Sequence, residues 1–224
     1  MADSFIFGAY WGSRAEPLAQ AANKVLQTLK RLGEIDELFL NLYEVGRSRK
    51  EALKKKVSLE LGTINRICQE AAMGELDSNG FAKNGFVFSL WTGHKDEESS
   101  SISFAVGDIF KIPNLTNSCV IKLPREDEAK KRLLQEAKKI IFTLVQIWEP
   151  DYAVLTSNEV RDKLMVGNRI GWITYRKTIK NTPKISNKVL HERSGQGHLF
   201  YFNSPNGPYD HSLLNELEPI KSSI

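Results

Sequence analysis

The chain has 224 residues, of which 41% are hydrophobic and 26% charged, with 31 Lys and Arg against 27 Asp and Glu. These proportions are those of a folded globular protein and exclude disordered, collagen-like and disulfide-rich classes. A net charge of +4 is too mild for a polybasic nucleic-acid carrier, which concentrates far more positive charge on one face.

In chain order, Phe5 to Tyr10 reads as a short strand covered on both sides. Ser13 and Glu16 have the spacing of a capping box, and Pro17 suits a first turn. Leu18, Ala22, Val25, Leu26, Leu29 and Leu32 then recur at helical spacing, with Gly33 as the expected stop. Glu34 to Glu44 fits strand or helix equally. Ser48 and Glu51 repeat the capping-box spacing and open a basic helical stretch through Lys54, Lys55 and Lys56. A further helix is expected at Leu61, Ile64, Ile67, Cys68 and Ala71. Three short segments rich in β-branched and aromatic residues follow as antiparallel strands: Gly85 to Trp91, Ile102 to Val106 and Ser118 to Leu123. One long helix is expected from Glu126 to Trp148, stopped by Pro150. Tyr152 to Thr156 and Ile170 to Tyr175 read as strands around a short helix from Asn158 to Met165. His198 to Phe202 is a last strand and His211 to Leu217 a last helix. The fold class expected is α+β: a single domain spanning 1–224, with a mixed, mostly antiparallel sheet and packed helices.

The N-terminus lacks a basic n-region and an apolar run fit for a signal peptide. The most apolar stretch, Ile140 to Trp148, is far below the roughly 20 residues that span a bilayer. Cys68 and Cys119 both sit in apolar patterns, as buried thiols of a reducing compartment do. The expected location is therefore the cytoplasm, with no membrane partner.

Catalytic patterns are scarce. His94, His191, His198 and His211 lack metal-ligand spacing, and Gly195-Gln196-Gly197 lacks the context of a dinucleotide loop. No metal and no cofactor is expected. The E-x-K pattern of restriction-type nucleases occurs at Glu128/Lys130 and Glu136/Lys138, both on the expected long helix, where such residues normally face solvent. The chain reads as a non-enzyme with no catalytic residues. An atypical or decayed metal-dependent nuclease using Glu128 or Glu136 is the alternative, as is a nucleic-acid-binding module built on Arg47 to Lys56.

Charge is unevenly spread. Arg47 to Lys56 carries six bases against Glu51, and Arg176 to Arg193 six bases against Glu192. Gly74 to Phe110 carries six acids against two bases. Such segregation predicts faces of opposite sign that steer a charged partner. The basic segments lack interleaved aromatics, so a single-strand stacking platform, and direct nucleic-acid binding generally, is not expected.

Five segments occur in a fixed order: Tyr10-Trp11-Gly12-Ser13-Arg14, Ser48-Arg49-Lys50-Glu51-Ala52-Leu53, Phe88-Ser89-Leu90-Trp91-Thr92-Gly93, Trp148-Glu149-Pro150-Asp151 and Gly171-Trp172-Ile173-Thr174-Tyr175. Together they resemble the immunity protein 52 family of bacterial polymorphic-toxin systems, with Thr92 where the family usually has asparagine. The resemblance implies a cytoplasmic antidote. It would bind a cognate toxin encoded nearby, often a restriction-endonuclease-like nuclease exported by type VI secretion. Tyr10, Trp11, Gly12, Arg14, Trp91, Gly93, Gly171, Trp172 and Tyr175 are then motif residues, expected to be structural. A nuclease cleft is basic because it holds phosphates, so an inhibitor that plugs it needs carboxylates. Asp96, Glu97 and Glu98, with Asp77, are the expected toxin contacts.

Overall fold

A computed structural model describes residues 4–72, 74–108, 117–164, 170–181, 183–202, 215–216 and 218–221. Its strands are β1 (Phe5–Trp11), β2 (Tyr43–Glu44), β3 (Phe86–Trp91), β4 (Ser101–Val106), β5 (Asn117–Lys122), β6 (Tyr152–Ser157), β7 (Ile173–Arg176), β8 (Val189–Ser194) and β9 (Gly197–Phe202). Its helices are α1 (Leu18–Ile35), α2 (Arg49–Ala52), α3 (Leu61–Glu70), α4 (Asp127–Gln135), α5 (Ala137–Trp148), α6 (Asn158–Leu164) and α7 (Glu218–Lys221). Short 3-10 turns cover Glu37–Phe39 and Asp96–Glu98. The class is α+β, as the sequence implies.

The chain forms two compact units, Tyr10–Ile121 and a second made of Met1–Ala9 with Lys122–Ile224. In the first, the strand order is β2-β3-β4-β5. β3 pairs antiparallel with both β2 and β4. Ile102, Phe104 and Val106 alternate inward along β4, the period-two pattern of a sheet with one covered face. α1 buries Ala21, Ala22, Val25, Leu29 and Leu32, and α3 buries Ile64, Ile67 and Cys68. In the second unit the order is β1-β6-β7-β9-β8, with β6–β7, β7–β9 and β9–β8 antiparallel. β7 is buried along its whole length, because side chains cover both of its faces.

Several expectations change. The Ser13/Glu16 box does not form: Pro17 is the N-cap, without a side-chain bond. A residue before proline is pushed to extended backbone. Glu16 instead turns inward, where its buried carboxylate meets Lys24 Nζ at 2.5 Å and Arg14 at 3.8 Å. Gly33 does not end α1, which runs on to Ile35. The single long helix is two, broken at Glu136, where the backbone leaves helical geometry at φ −90° and ψ 8°. Neither proline nor glycine marks that break. β8 has no counterpart among the expected strands, since its exposed Leu190, His191 and Arg193 hide the strand pattern. The second capping spacing yields the serine cap, with Ser48 Oγ accepting from the Glu51 amide at 3.3 Å, although α2 is only one turn long. The expected helix at His211 to Leu217 lies almost wholly outside the described residues.

Candidate functional site

In the unit Tyr10–Ile121, two of the five ordered sequence segments meet. The Ser48-capped turn places Arg49 so that its Nη2 donates to the Gly93 carbonyl at 3.2 Å. Gly93 has φ +76°, and a Cβ there would lie 2.4 Å from the Tyr43 ring, so only glycine lets the chain pass. Tyr43 in turn packs against Trp91, with ring centroids 6.1 Å apart. Thr92 is buried and closes the loop from β3 to β4: its amide donates to Ser100 O at 3.1 Å, and its Oγ1 accepts from Ser100 N at 3.0 Å.

The loop so pinned carries the 3-10 turn Asp96–Glu98. All three of its acidic residues are exposed, and none of their carboxylates bonds another described residue. Between this turn and α2 lies a cleft of about 340 Å³, whose walls include Val45, Arg49, Trp91 and Asp96. The Trp91 indole N–H is buried there without an acceptor among the described residues. Around Val45 and Gly46 the surface continues into a hollow lined by Arg47, Glu51, Lys54 and Lys55. The basic and acidic segments therefore adjoin here rather than occupying separate faces. Tryptophan and arginine are side chains that dominate protein-binding surfaces, and here an exposed valine and an aspartate lie beside them in one cleft.

The remaining residues singled out from sequence lie elsewhere. Asp77 organises its own turn, its Oδ1 accepting from Asn79 N and Phe81 N at 2.9 Å each, and no hydrogen bond or ion pair joins it to Asp96–Glu98. Tyr10 and Trp11 are buried, and Arg14 stacks over Trp11 at 5.2 Å. The Gly12 carbonyl accepts from Asn117 Nδ2 at 2.8 Å. Asn117, buried and also bonded to both the Asp108 amide and carbonyl, is a tie that the sequence did not signal. In the other unit, Gly171 has no room for a side chain, since a Cβ would sit 1.9 Å from Leu155 O. Thr174 Oγ1 closes the Gly171 turn, and Trp172 packs edge-on against Phe202. Tyr175 is buried, and desolvation, with Glu149 and Asp151 nearby, raises its phenol above the ordinary value.

The nuclease residues do not converge. Glu136 pairs with Lys139 at 2.6 Å, Lys130 with Asp127, and Lys138 with Glu192, so both E-x-K lysines are engaged by other acids. Among the described residues no group of three or more His, Cys, Asp or Glu could hold a metal ion. His191 Nε2 and His198 Nδ1 lie 2.9 Å apart across the β8–β9 hairpin, while His94 lines the cleft; His211 is outside the described residues. Burial pushes the Cys68 thiol up to about 12 and that of Cys119 upward as well, leaving both as inert thiols. No helix among the described residues is long and apolar enough to cross a membrane.

Among curated proteins none matches the sequence. A solved structure of the Pseudomonas aeruginosa T6SS protein PA0821 shares the fold, with a TM-score of 0.52 at 12% identity, covering 97% of this chain and 76% of that one. The family model for immunity protein 52 matches residues 3–193. That match includes the Arg49–Gly93 cleft and all five ordered segments, and the chain belongs to the immunity protein 52 family.

Proposed function

We propose that the protein binds and neutralises a cognate toxin encoded beside it, a restriction-endonuclease-like DNase, and does so without catalysis of its own. The observation that carries this reading is the acidic turn Asp96–Glu98, exposed and unpaired beside the Trp91 cleft where two family segments join. Carboxylates presented in this way compete with DNA phosphates for a basic nuclease cleft. Trp91 and Val45 supply the desolvated contact that gives such a complex its lifetime. Asp77, in its separate turn, contributes at the margin of the contact. Binding beside the active site, so that DNA access or toxin assembly is blocked, uses the same surface. The protein acts in the cytoplasm of the producing cell.

The test is co-expression with the product of the adjacent gene. Growth should be rescued, the two proteins should co-purify, and Trp91 fluorescence should change on mixing, since Trp11, Trp148 and Trp172 are at most 1% exposed. Reversing the turn with Asp96→Lys, Glu97→Lys and Glu98→Lys should slow association at least about tenfold at low salt. A harmless neighbour, or rescue and association unchanged by the reversal, would overturn the proposal.

A further inference from the structure

The sheet of the unit Tyr10–Ile121 has a face that its core does not use. Along β3 and β4 one alternate set, Phe86, Leu90, Ile102, Phe104 and Val106, is buried in the core. The other set places Val87, Ser89 and Trp91 opposite Ala105, Ser103 and Ser101, and each of these keeps part of its surface exposed. Burial alternates on β5 as well: Asn117, Cys119 and Ile121 are buried, while Ser118 and Val120 are partly exposed. No residue of this outward set carries a charge, in a chain of which 26% is charged. Depletion of charge is the compositional mark of an interface core, not of a solvated face. Ser89 Oγ and Ser103 Oγ lie 2.8 Å apart and bond each other, so both can give up water at small cost.

Size narrows what can cover this face. Three strands of six residues each span roughly 300 Å², against about 800 Å² per partner in a stable complex. A second copy of the chain seated here alone falls well short of that. The face does not end at its own rim, however. Trp91 belongs both to it and to the cleft beside Asp96–Glu98, so the two surfaces form one continuous patch. Tyr43, in register with Trp91, carries the neutral surface onto β2. At the far end of β3 from the cleft, Val87 is 51% exposed.

We propose that this neutral sheet face is covered by the same toxin that meets the acidic turn, through an uncharged, apolar surface beside the toxin's basic cleft. The inference rests on the function proposed above and divides the contact into two parts. The acidic turn steers the encounter, and the sheet face extends the desolvated contact of Trp91 along β3 and β4 and slows departure.

The test uses the full chain, the product of the adjacent gene and two opposite substitutions at the centre of the face, Ser103→Lys and Ser103→Glu. Because the contact is neutral, a buried charge of either sign should speed dissociation at least about tenfold. Association and its salt dependence should change little. Gln69→Lys, on an exposed position of α3, should alter neither rate. Urea denaturation checks that each variant folds, and Ala105→Lys, on the same face of β4, replaces any Ser103 variant that does not. Unchanged dissociation in folded variants, or tighter binding with either sign of charge, would overturn the inference while the proposed function stands. If dissociation responds at Ser103 but reversing the acidic turn has no effect, the nuclease-cleft reading falls and the sheet contact remains. A neighbour that does not bind at all removes both.

Discussion

Gly171 and Gly62 separate steric need from mere tolerance. Gly171 faces the Leu155 carbonyl so closely that Gly171→Ala must move backbone, and it should cost about 3 kcal/mol or more. Gly62 lies within α3, and an added methyl group there would meet nothing within 4 Å, so Gly62→Ala should stabilise by roughly 0.5–1 kcal/mol through helix propensity. Urea denaturation of both variants reads the opposite signs. The Glu16–Lys24 pair gives a third case. Its carboxylate is fully buried while Lys24 keeps 18% exposure, so Lys24→Ala strands a buried charge. Arg14 at 3.8 Å compensates only in part, and the loss should be about 3 kcal/mol.

Elements were legible where one periodicity decided them. Ile64, Ile67 and Cys68 mark α3, and the alternation of Ile102, Phe104 and Val106 marks β4, because burial on one side leaves a period in the sequence. The α4–α5 break was hidden because Leu133, Leu134, Ala137 and Ile140 keep an unbroken helical stripe across it. β8 was hidden because it ends its strand order and exposes the adjacent Leu190 and His191 as well as Arg193, which leaves no period of two. At the site, the family segments were visible as strings of residues. The contact between Arg49 and Gly93 was not, since 44 residues separate them and no local pattern records a long-range bond. The same β8–β9 hairpin makes an element-scale prediction. Desolvation, with Arg193 and His191 close by, lowers His198 below its ordinary 6.5. The folded state thus favours neutral imidazole, and this stability is present above about pH 6.5 and lost as pH falls through the lowered value. Amide exchange in β8 and β9 should quicken between pH 7 and 5 at matched intrinsic rates, and His198→Gln should flatten that dependence.

For the molecule as a whole, net charge resolves into unequal parts. The unit Tyr10–Ile121 carries fourteen Lys and Arg against fourteen Asp and Glu, so the whole +4 belongs to the other unit. The neutral unit nevertheless holds both the Arg47–Lys56 bases and the Asp96–Glu98 acids, laid against each other at the Trp91 cleft. A partner that meets the acidic turn therefore also meets repulsion or attraction from the bases beside it, and the range over which each acts is set by salt. At about 0.15 M ionic strength screening reaches roughly 8 Å, so distant charges fade while carboxylates in contact persist. If the acidic turn steers a basic toxin, the association rate should fall as salt rises while dissociation changes little. Neutralising the neighbouring bases with Lys54→Gln and Lys55→Gln should then speed association at low salt, and the charge-reversed turn should abolish the salt dependence or invert it. Stopped-flow mixing with Trp91 as reporter measures all three slopes. Slower association after removing Lys54 and Lys55 would assign the steering to the basic hollow instead, and with it the sign of the toxin surface that this protein recognises.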